Sequence, residues 1–304
     1  MTQNHSEMLT EMAQGSLKAL ARAITLVENE LDEYDKILFN LPPARHIPVI
    51  GITGPPGAGK STLVNCLIKN LLSRLDSSSR GIAVISVDPS SPLNKGAILG
   101  DRLRMKEHFI NDKVFIRSLA ARGALGGLSA KTIEVLELMR SFSFDYILVE
   151  TVGVGQSELE IAGLADVTLL VLTPEAGDDI QVMKSGVMEI ADIYVVNKAD
   201  RDGADEFVKN ITQMLAVNGL GRQPQIVKTV AIQNKGIEIL TEAIMNSLDK
   251  KSAADESMLL AEKAYRLILN RKIREIDKDK LKKDIEKALK TNPAVNIYRF
   301  AKSY

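Results

Sequence analysis

Residues 51–63 read GITGPPGAGKSTL, and this stretch restricts the folding of the chain severely. An apolar run ends abruptly at Gly54-Pro55-Pro56-Gly57, and a segment with helical spacing begins at Lys60. Proline removes an amide donor and glycine readily takes left-handed backbone, so no helix or strand crosses that point. A buried strand, a tight loop and the first turn of a helix are therefore predicted in succession. Within them Gly54-x-x-x-x-Gly59-Lys60-Ser61 fits the loop that cradles phosphates, in the strand-to-helix context such a loop requires. Gly57 and Gly59 let the backbone come close to a ligand. The whole run Gly54, Pro55, Pro56, Gly57, Ala58, Gly59, Lys60, Ser61 and Thr62 is expected to line the site, its N–H groups turned inward at a helix N-terminus. Lys60 would reach the β- and γ-phosphates, and the Ser61 hydroxyl would ligate Mg²⁺.

From about residue 48 the chain repeats short β-rich runs: VIGITG, GIAVISVD, VFIRS, DYILVE, VTLLVLTP, DIYVVNK and QIVKTVA. Most are separated by enough residues for a crossover helix, as at 61–75 and 129–140. Continuous apolar strands of this kind are buried on both faces, which predicts an α/β fold with a mostly parallel sheet of the P-loop NTPase type. Residues 46–248 are assigned to this domain. Ahead of it, Leu17, Leu20, Ile24, Val27 and Leu31 recur at helical steps, predicting a helix over 8–38 within an N-terminal extension, 1–45. LPPARHIP then interrupts the helix. LDKKSAADES reads as a linker or a fraying helix end, and residues 249–304 as a helical, lysine-rich C-terminal extension with Leu281, Ile285 and Leu289 four apart.

A phosphate loop needs acids around its metal. In FDYILVETVGVGQSE, residues 144–158, a buried strand climbs to Glu150 and breaks into glycine-rich loop. In such folds an acid at the carboxyl end of a strand beside the phosphate loop faces Mg²⁺. Gly153 would let its N–H approach the γ-phosphate, so ETVG reads as the DxxG element of GTPases with Glu for Asp. Glu150 can ligate the metal, act through a water, or orient the attacking water; the residues leave the three open.

DIYVVNKAD ends a further strand in Asn197-Lys198-Ala199-Asp200, the NKxD pattern that selects guanine. Asp200 would accept from the guanine N1–H and exocyclic amine, a pair of donors that adenine lacks. The Lys198 stem would lie over the base and Asn197 would tie loops together. KTVAIQNKG resembles the last guanine loop, where backbone N–H groups of Val230, Ala231 and Ile232 would meet the base oxygen. GTP and GDP are the expected ligands, with Mg²⁺.

Composition narrows the remaining classes. Lys+Arg and Asp+Glu are both 39, so net charge asks for neither nucleic acid nor a membrane surface as partner. One cysteine, Cys66, excludes an internal disulfide and favours a reducing cytoplasm, and three histidines argue against a soft-metal site. MTQNHSEMLTEMAQGS lacks the charged-then-apolar pattern of an export signal, and no apolar run approaches the roughly 18 residues of a membrane span.

Several stretches go beyond a generic GTPase: ALARAITLVEN, VDPSSP, GAILGDRLRM, FIRSLAARGALGGLS, ETVGVGQSE and AGDDIQVMKSGVMEIADIYVVNKAD. From about residue 15 to 245 the chain closely resembles the MeaB/ArgK family, whose human member is the methylmalonic-aciduria type A protein, within the SIMIBI class of P-loop GTPases. The resemblance implies a chaperone of an adenosylcobalamin-dependent acyl-CoA mutase, chiefly methylmalonyl-CoA mutase, that gates cofactor loading and protects the mutase. It implies a homodimer; 249–304 departs from the family pattern and reads as a dimer arm or as a solvated helical face. By position it puts Asp88 and Asp101 near Mg²⁺, Asp101 in a switch segment, and Lys184 in a third switch where its cation could neutralise charge during phosphoryl transfer. Gln156 invites comparison with a water-positioning glutamine, but its spacing from Gly153 differs from that of Ras-type proteins; Arg117 and Arg122 could contact phosphate or partner, or fill a packing or surface role. Catalytic residues are thus expected at Lys60, Asp101, Glu150 and Lys184, and metal ligands at Ser61, Asp88, Asp101 and Glu150. Rival readings are a nickel-type metal-delivery GTPase, which would want a His- or Cys-rich tract, and a kinase of an amino-acid transport system, which would want an acceptor site.

Overall fold

The predicted apolar runs pair side by side into one sheet. The computed structural model describes residues 5–31, 33–43, 46–88, 105, 107–108, 110–120, 130–151, 160–174, 187–217, 225–291 and 294–302. Its strands are β1 (Val49–Thr53), β2 (Ile82–Asp88), β3 (Val114–Ala120), β4 (Tyr146–Thr151), β5 (Val167–Leu172), β6 (Ile193–Val196) and β7 (Gln225–Lys228). They form a 7-stranded sheet in the order β3-β2-β4-β1-β5-β6-β7, and every pairing is parallel. β1 and β5 are buried along their whole length, the condition that lets both faces be apolar.

The described helices are α1 (His5–Ala13), α2 (Leu17–Asn29), α3 (Tyr34–Phe39), α4 (Lys60–Leu72), α5 (Ala130–Phe142), α6 (Val187–Ile190), α7 (Ala204–Val217), α8 (Ile237–Asp249), α9 (Ala253–Arg274), α10 (Lys278–Thr291) and α11 (Ile297–Lys302). α4 and α8 bury Leu63, Leu67, Ile68, Leu240 and Ile244 on Ile52, Leu148 and Leu169 of the sheet. Leu170, Leu172 and Val196 pack instead with Ile211 and Leu215 of α7. After β1 the chain builds one side of the sheet through β2, β3 and β4, then crosses β1 to build the other. Ligands bind in such sheets at the carboxyl ends of the strands where the order reverses, here β4, β1 and β5.

The amino ends of the strands are closed by a repeated device. Asp145, Asp166 and Asp192 each stand just before a strand and accept an N–H at the start of the neighbouring one. The donors are Gly81 (2.8 Å), Val49 (2.7 Å) and Thr168 (2.8 Å). Backbone donors at a buried sheet end need partners, and a short carboxylate supplies them.

The helix expected over 8–38 is three helices. Gly15 at φ 95° ends the first, and Ser16 caps the second by accepting from the Ala19 N–H at 3.2 Å. Glu30 and Glu33, both at φ 55°, turn the chain into the third. Leu20, Ile24 and Val27 form the buried face, but Leu31 falls beyond the helix end and is 48% exposed.

The chain divides into two compact units, Met1–Leu260 and Ala261–Tyr304. Between α8 and α9, Ser252 and Asp255 cap reciprocally: the Ser252 N–H donates to Asp255 Oδ2 (2.9 Å) and the Asp255 N–H to Ser252 Oγ (3.2 Å). In the second unit α10 has no buried residue. No described helix is long and apolar enough to cross a membrane.

Candidate nucleotide site

The loop that leaves β1 is shaped by what presses on it. Gly54 has φ +139°, and a Cβ there would lie 2.1 Å from the Val171 carbonyl oxygen of β5. Gly59 has φ +88°, and its Cβ would lie 2.4 Å from Asn197 Nδ2. Only glycine satisfies both the backbone and the space at these two places. Pro56 and Gly57 are exposed at the loop's crest, while Ala58 is buried beneath it. α4 begins at Lys60, and the Leu63 N–H donates to the Gly59 carbonyl at 2.9 Å, so the N–H groups of its first turn face the loop. The buried Lys60 ammonium donates to the carbonyl oxygens of Gly54 (2.7 Å) and Pro55 (2.9 Å), which holds the cation at the loop's root.

Ser61 follows on α4, and its hydroxyl donates to Glu150 Oε1 at 2.6 Å. Both side chains are buried. The pairing of Ile52 with Glu150 places this residue beside the end of β1, just before the phosphate loop. Asp88 ends β2, one strand further out, so its backbone lies on the same carboxyl edge. Two neighbouring hard oxygens suit Mg²⁺: adjacent ligands of an octahedral ion with bonds of about 2.1 Å stand about 3 Å apart. Asp101, Gly153, Gln156, Arg122 and Lys184 lie outside the described residues.

The residues expected to select guanine gather on the other side of the loop. Asn197 is buried at the end of β6. Its Nδ2 donates to the Ala58 carbonyl at 2.8 Å, and its Oδ1 accepts from Thr229 Oγ1 (3.1 Å) and the Ala231 N–H (3.2 Å). One side chain thus joins the phosphate loop to the turn after β7. Lys198 takes left-handed backbone at φ 56°, and the Ala199 N–H returns to the Thr229 carbonyl at 3.0 Å. That sharp bend presents Asp200 to solvent. In the turn Val230 and Ala231 are buried and Ile232 is 81% exposed; the Val230 N–H is donated to Lys235 O at 3.0 Å. Cys66 of α4 donates its thiol to the Ala231 carbonyl, 3.1 Å away. Burial pushes that thiol's pKa up and keeps it a neutral donor.

Two of these contacts were missed in the sequence. Thr229 stands in KTVAIQNKG as one polar residue at a strand end, and Cys66 as a small apolar residue on a buried helical face. Neither pattern names a partner from another element. Arg117 is directed elsewhere than to phosphate: from β3 it pairs with Glu28 Oε2 (2.5 Å) and Thr25 Oγ1 (3.3 Å) of α2. The packing role expected as its alternative is the one the side chain fills.

A parallel sheet flanked by helices, with the phosphate loop running from its central strand into α4, defines a P-loop nucleoside triphosphatase. Residues 20–289 match the family model described as methylmalonyl Co-A mutase-associated GTPase MeaB. A protein of Pyrococcus horikoshii named as a GTPase is 44% identical over 265 residues, 84% of this chain and 81% of that protein. The mouse methylmalonic aciduria type A homolog is 37% identical over 210 residues, covering 64% of this chain and 50% of its own length. Among solved structures, the crystal structure of an LAO/AO transport system kinase superposes with a TM-score of 0.65 at 26% identity, covering 98% of this chain and 95% of that one. The chain belongs to the MeaB family of GTPases.

Proposed function

We propose that this protein hydrolyses GTP to GDP and phosphate with Mg²⁺, and that its nucleotide state is read by an adenosylcobalamin-dependent acyl-CoA mutase of the methylmalonyl-CoA type. The reading includes gating of cofactor loading and protection of the mutase. The observation that carries the chemical half is the Asn197 side chain, which joins Ala58 of the phosphate loop to the Thr229–Ala231 turn. It makes phosphate binding and base selection one connected structure. The family's description as mutase-associated supports the partner.

In this reading Gly57, Ala58 and Gly59 supply backbone N–H groups to the phosphates, and Lys60 exchanges its two loop carbonyls for phosphate oxygens. Ser61 and Glu150 would hold Mg²⁺, with Asp88 and Asp101 beside them; when bound, the ion neutralises charge on the phosphates and orients them. Glu150 is also within the region where it can hold a water. Asp200 reads the guanine N1–H and amine, the Lys198 stem covers the base, and the Ile232 N–H faces the base oxygen, since Val230 and Ala231 give their N–H groups to Lys235 and Asn197. Gly153 and Lys184 lie in segments that would order around the γ-phosphate and relax after its loss. The reading assigns residues 46–248 to the GTPase domain, with helical extensions on either side, in a cytoplasmic protein. It also includes a homodimer formed through 249–304, where Tyr265, Ile268 and Tyr298 are exposed apolar groups.

The test mixes the purified protein with a holo-mutase and follows phosphate release. A changed rate of GTP hydrolysis, with slower loss of mutase activity, is expected. No effect on either by any acyl-CoA mutase of this class overturns the chaperone reading. The similar crystal structure named as a transport system kinase favours a second reading, phosphate transfer to a protein. Labelled γ-phosphate appearing on protein instead of as free phosphate would decide for it.

A further inference from the structure

Two hydroxyl-based pairs sit at the carboxyl edge of the sheet, on opposite faces. Glu150 and Thr151 are consecutive in β4, so their side chains leave opposite sides. Glu150 turns toward α4 and meets Ser61. Thr151 turns the other way, and its hydroxyl donates to Thr53 Oγ1 at 3.0 Å, with the Ile52 carbonyl a weaker acceptor at 3.5 Å. Both threonines are fully buried. Thr53 is the last residue before Gly54, and Thr151 the first after Glu150, so the bond joins the root of the phosphate loop to the strand end that carries the acid.

Packing alone does not ask for these hydroxyls. Valine has the same branched shape and suits a buried strand, whereas a buried hydroxyl is unfavourable unless bonded. What threonine adds is the cross-strand bond. Rotation of the β4 end would swing Glu150 away from Ser61, because neighbouring side chains on a strand exchange faces together.

We propose that Thr151 is a positioning residue for GTP hydrolysis: its bond to Thr53 locks the end of β4 against the root of the phosphate loop and keeps Glu150 aimed at Ser61. This rests on the GTPase reading above.

The test compares Thr151→Val, Thr53→Val, the double variant and Thr151→Ser in the full-length chain, measuring kcat, KM, GDP affinity and thermal midpoint. Thr151→Val is expected to lower kcat about fivefold, the effect of one buried hydrogen bond of about 1 kcal/mol. KM for GTP and GDP affinity should stay within about twofold of wild type, and Thr151→Ser should restore kcat. The double variant should lose no more than Thr151→Val alone, since both changes remove one bond. Wild-type kcat in Thr151→Val, multiplying losses in the double variant, or a loss confined to GDP affinity and thermal midpoint would each overturn the inference. A wild-type chain that turns over no GTP overturns the GTPase reading and this inference with it. Wild-type turnover matched by Thr151→Val overturns this inference alone.

Discussion

Asn197 Nδ2 donates to the carbonyl of Ala58 at 2.8 Å across 139 positions of sequence. The same amide accepts from Thr229 and Ala231, so it is the joint between two loops. Asn197→Ala removes three hydrogen bonds and leaves buried donors and acceptors unmatched. Guanine-nucleotide affinity should fall about 100-fold and the fold lose about 2–3 kcal/mol. Titration calorimetry with GDP and denaturant unfolding measure the two effects.

Glu150→Gln keeps an acceptor for the Ser61 hydroxyl and removes the charge. GDP affinity should stay within a few-fold of wild type while kcat falls about 100-fold or more, as expected where a group acts on charge developing in the transition state. Steady-state phosphate release at varied Mg²⁺ would reveal it. Unchanged kcat would remove Glu150 from the catalytic machinery.

Asp200→Asn replaces an acceptor pair with one donor and one acceptor. Affinity for GTP should fall by about two orders of magnitude, because guanine's donors then meet a donor. Xanthosine triphosphate, which carries an oxygen in place of the amine, should bind better than GTP to the variant. Competition between the two nucleotides reads the change directly.

Tyr194 supplies a pH dependence. Burial holds its phenol neutral up to about 12, and its hydroxyl donates to the Met188 carbonyl. In the unfolded chain it ionises near its ordinary value of about 10. Between those values the unfolded state binds fewer protons than the folded one. Stability therefore falls as pH rises through that window, by up to about 1.4 kcal/mol per pH unit. Tyr146, also raised by burial, acts in the same direction. Tyr194→Phe should flatten the slope in denaturant titrations across about pH 10 to 12.

The site's local parts were readable because their demands are local. Gly54 and Gly59 need unusual backbone, Lys60 and Ser61 open a helix, and the apolar runs of β1 and β5 mark strands covered on both sides. The two breaks that divide residues 5–39 were harder. Only Gly15 advertises its turn; Glu30 and Glu33 adopt left-handed backbone although their type favours helix, and Leu31 continues an apolar spacing that the chain abandons. The aspartates before β4, β5 and β6 were in plain view, yet what they accept is an N–H of a neighbouring strand, and adjacency was unknown.

By itself the sequence marked the residues expected to bear the chemistry, because phosphate, cation and guanine each impose a short pattern of residue types. The tertiary structure decided who meets whom. Strand order set Glu150 beside Ser61, sent Arg117 to Glu28, and brought Asn197 to Ala58 and Cys66 to Ala231. The reason is physical: a backbone conformation is chosen by a residue and its neighbours, whereas a parallel sheet puts side by side strands that the chain visits far apart.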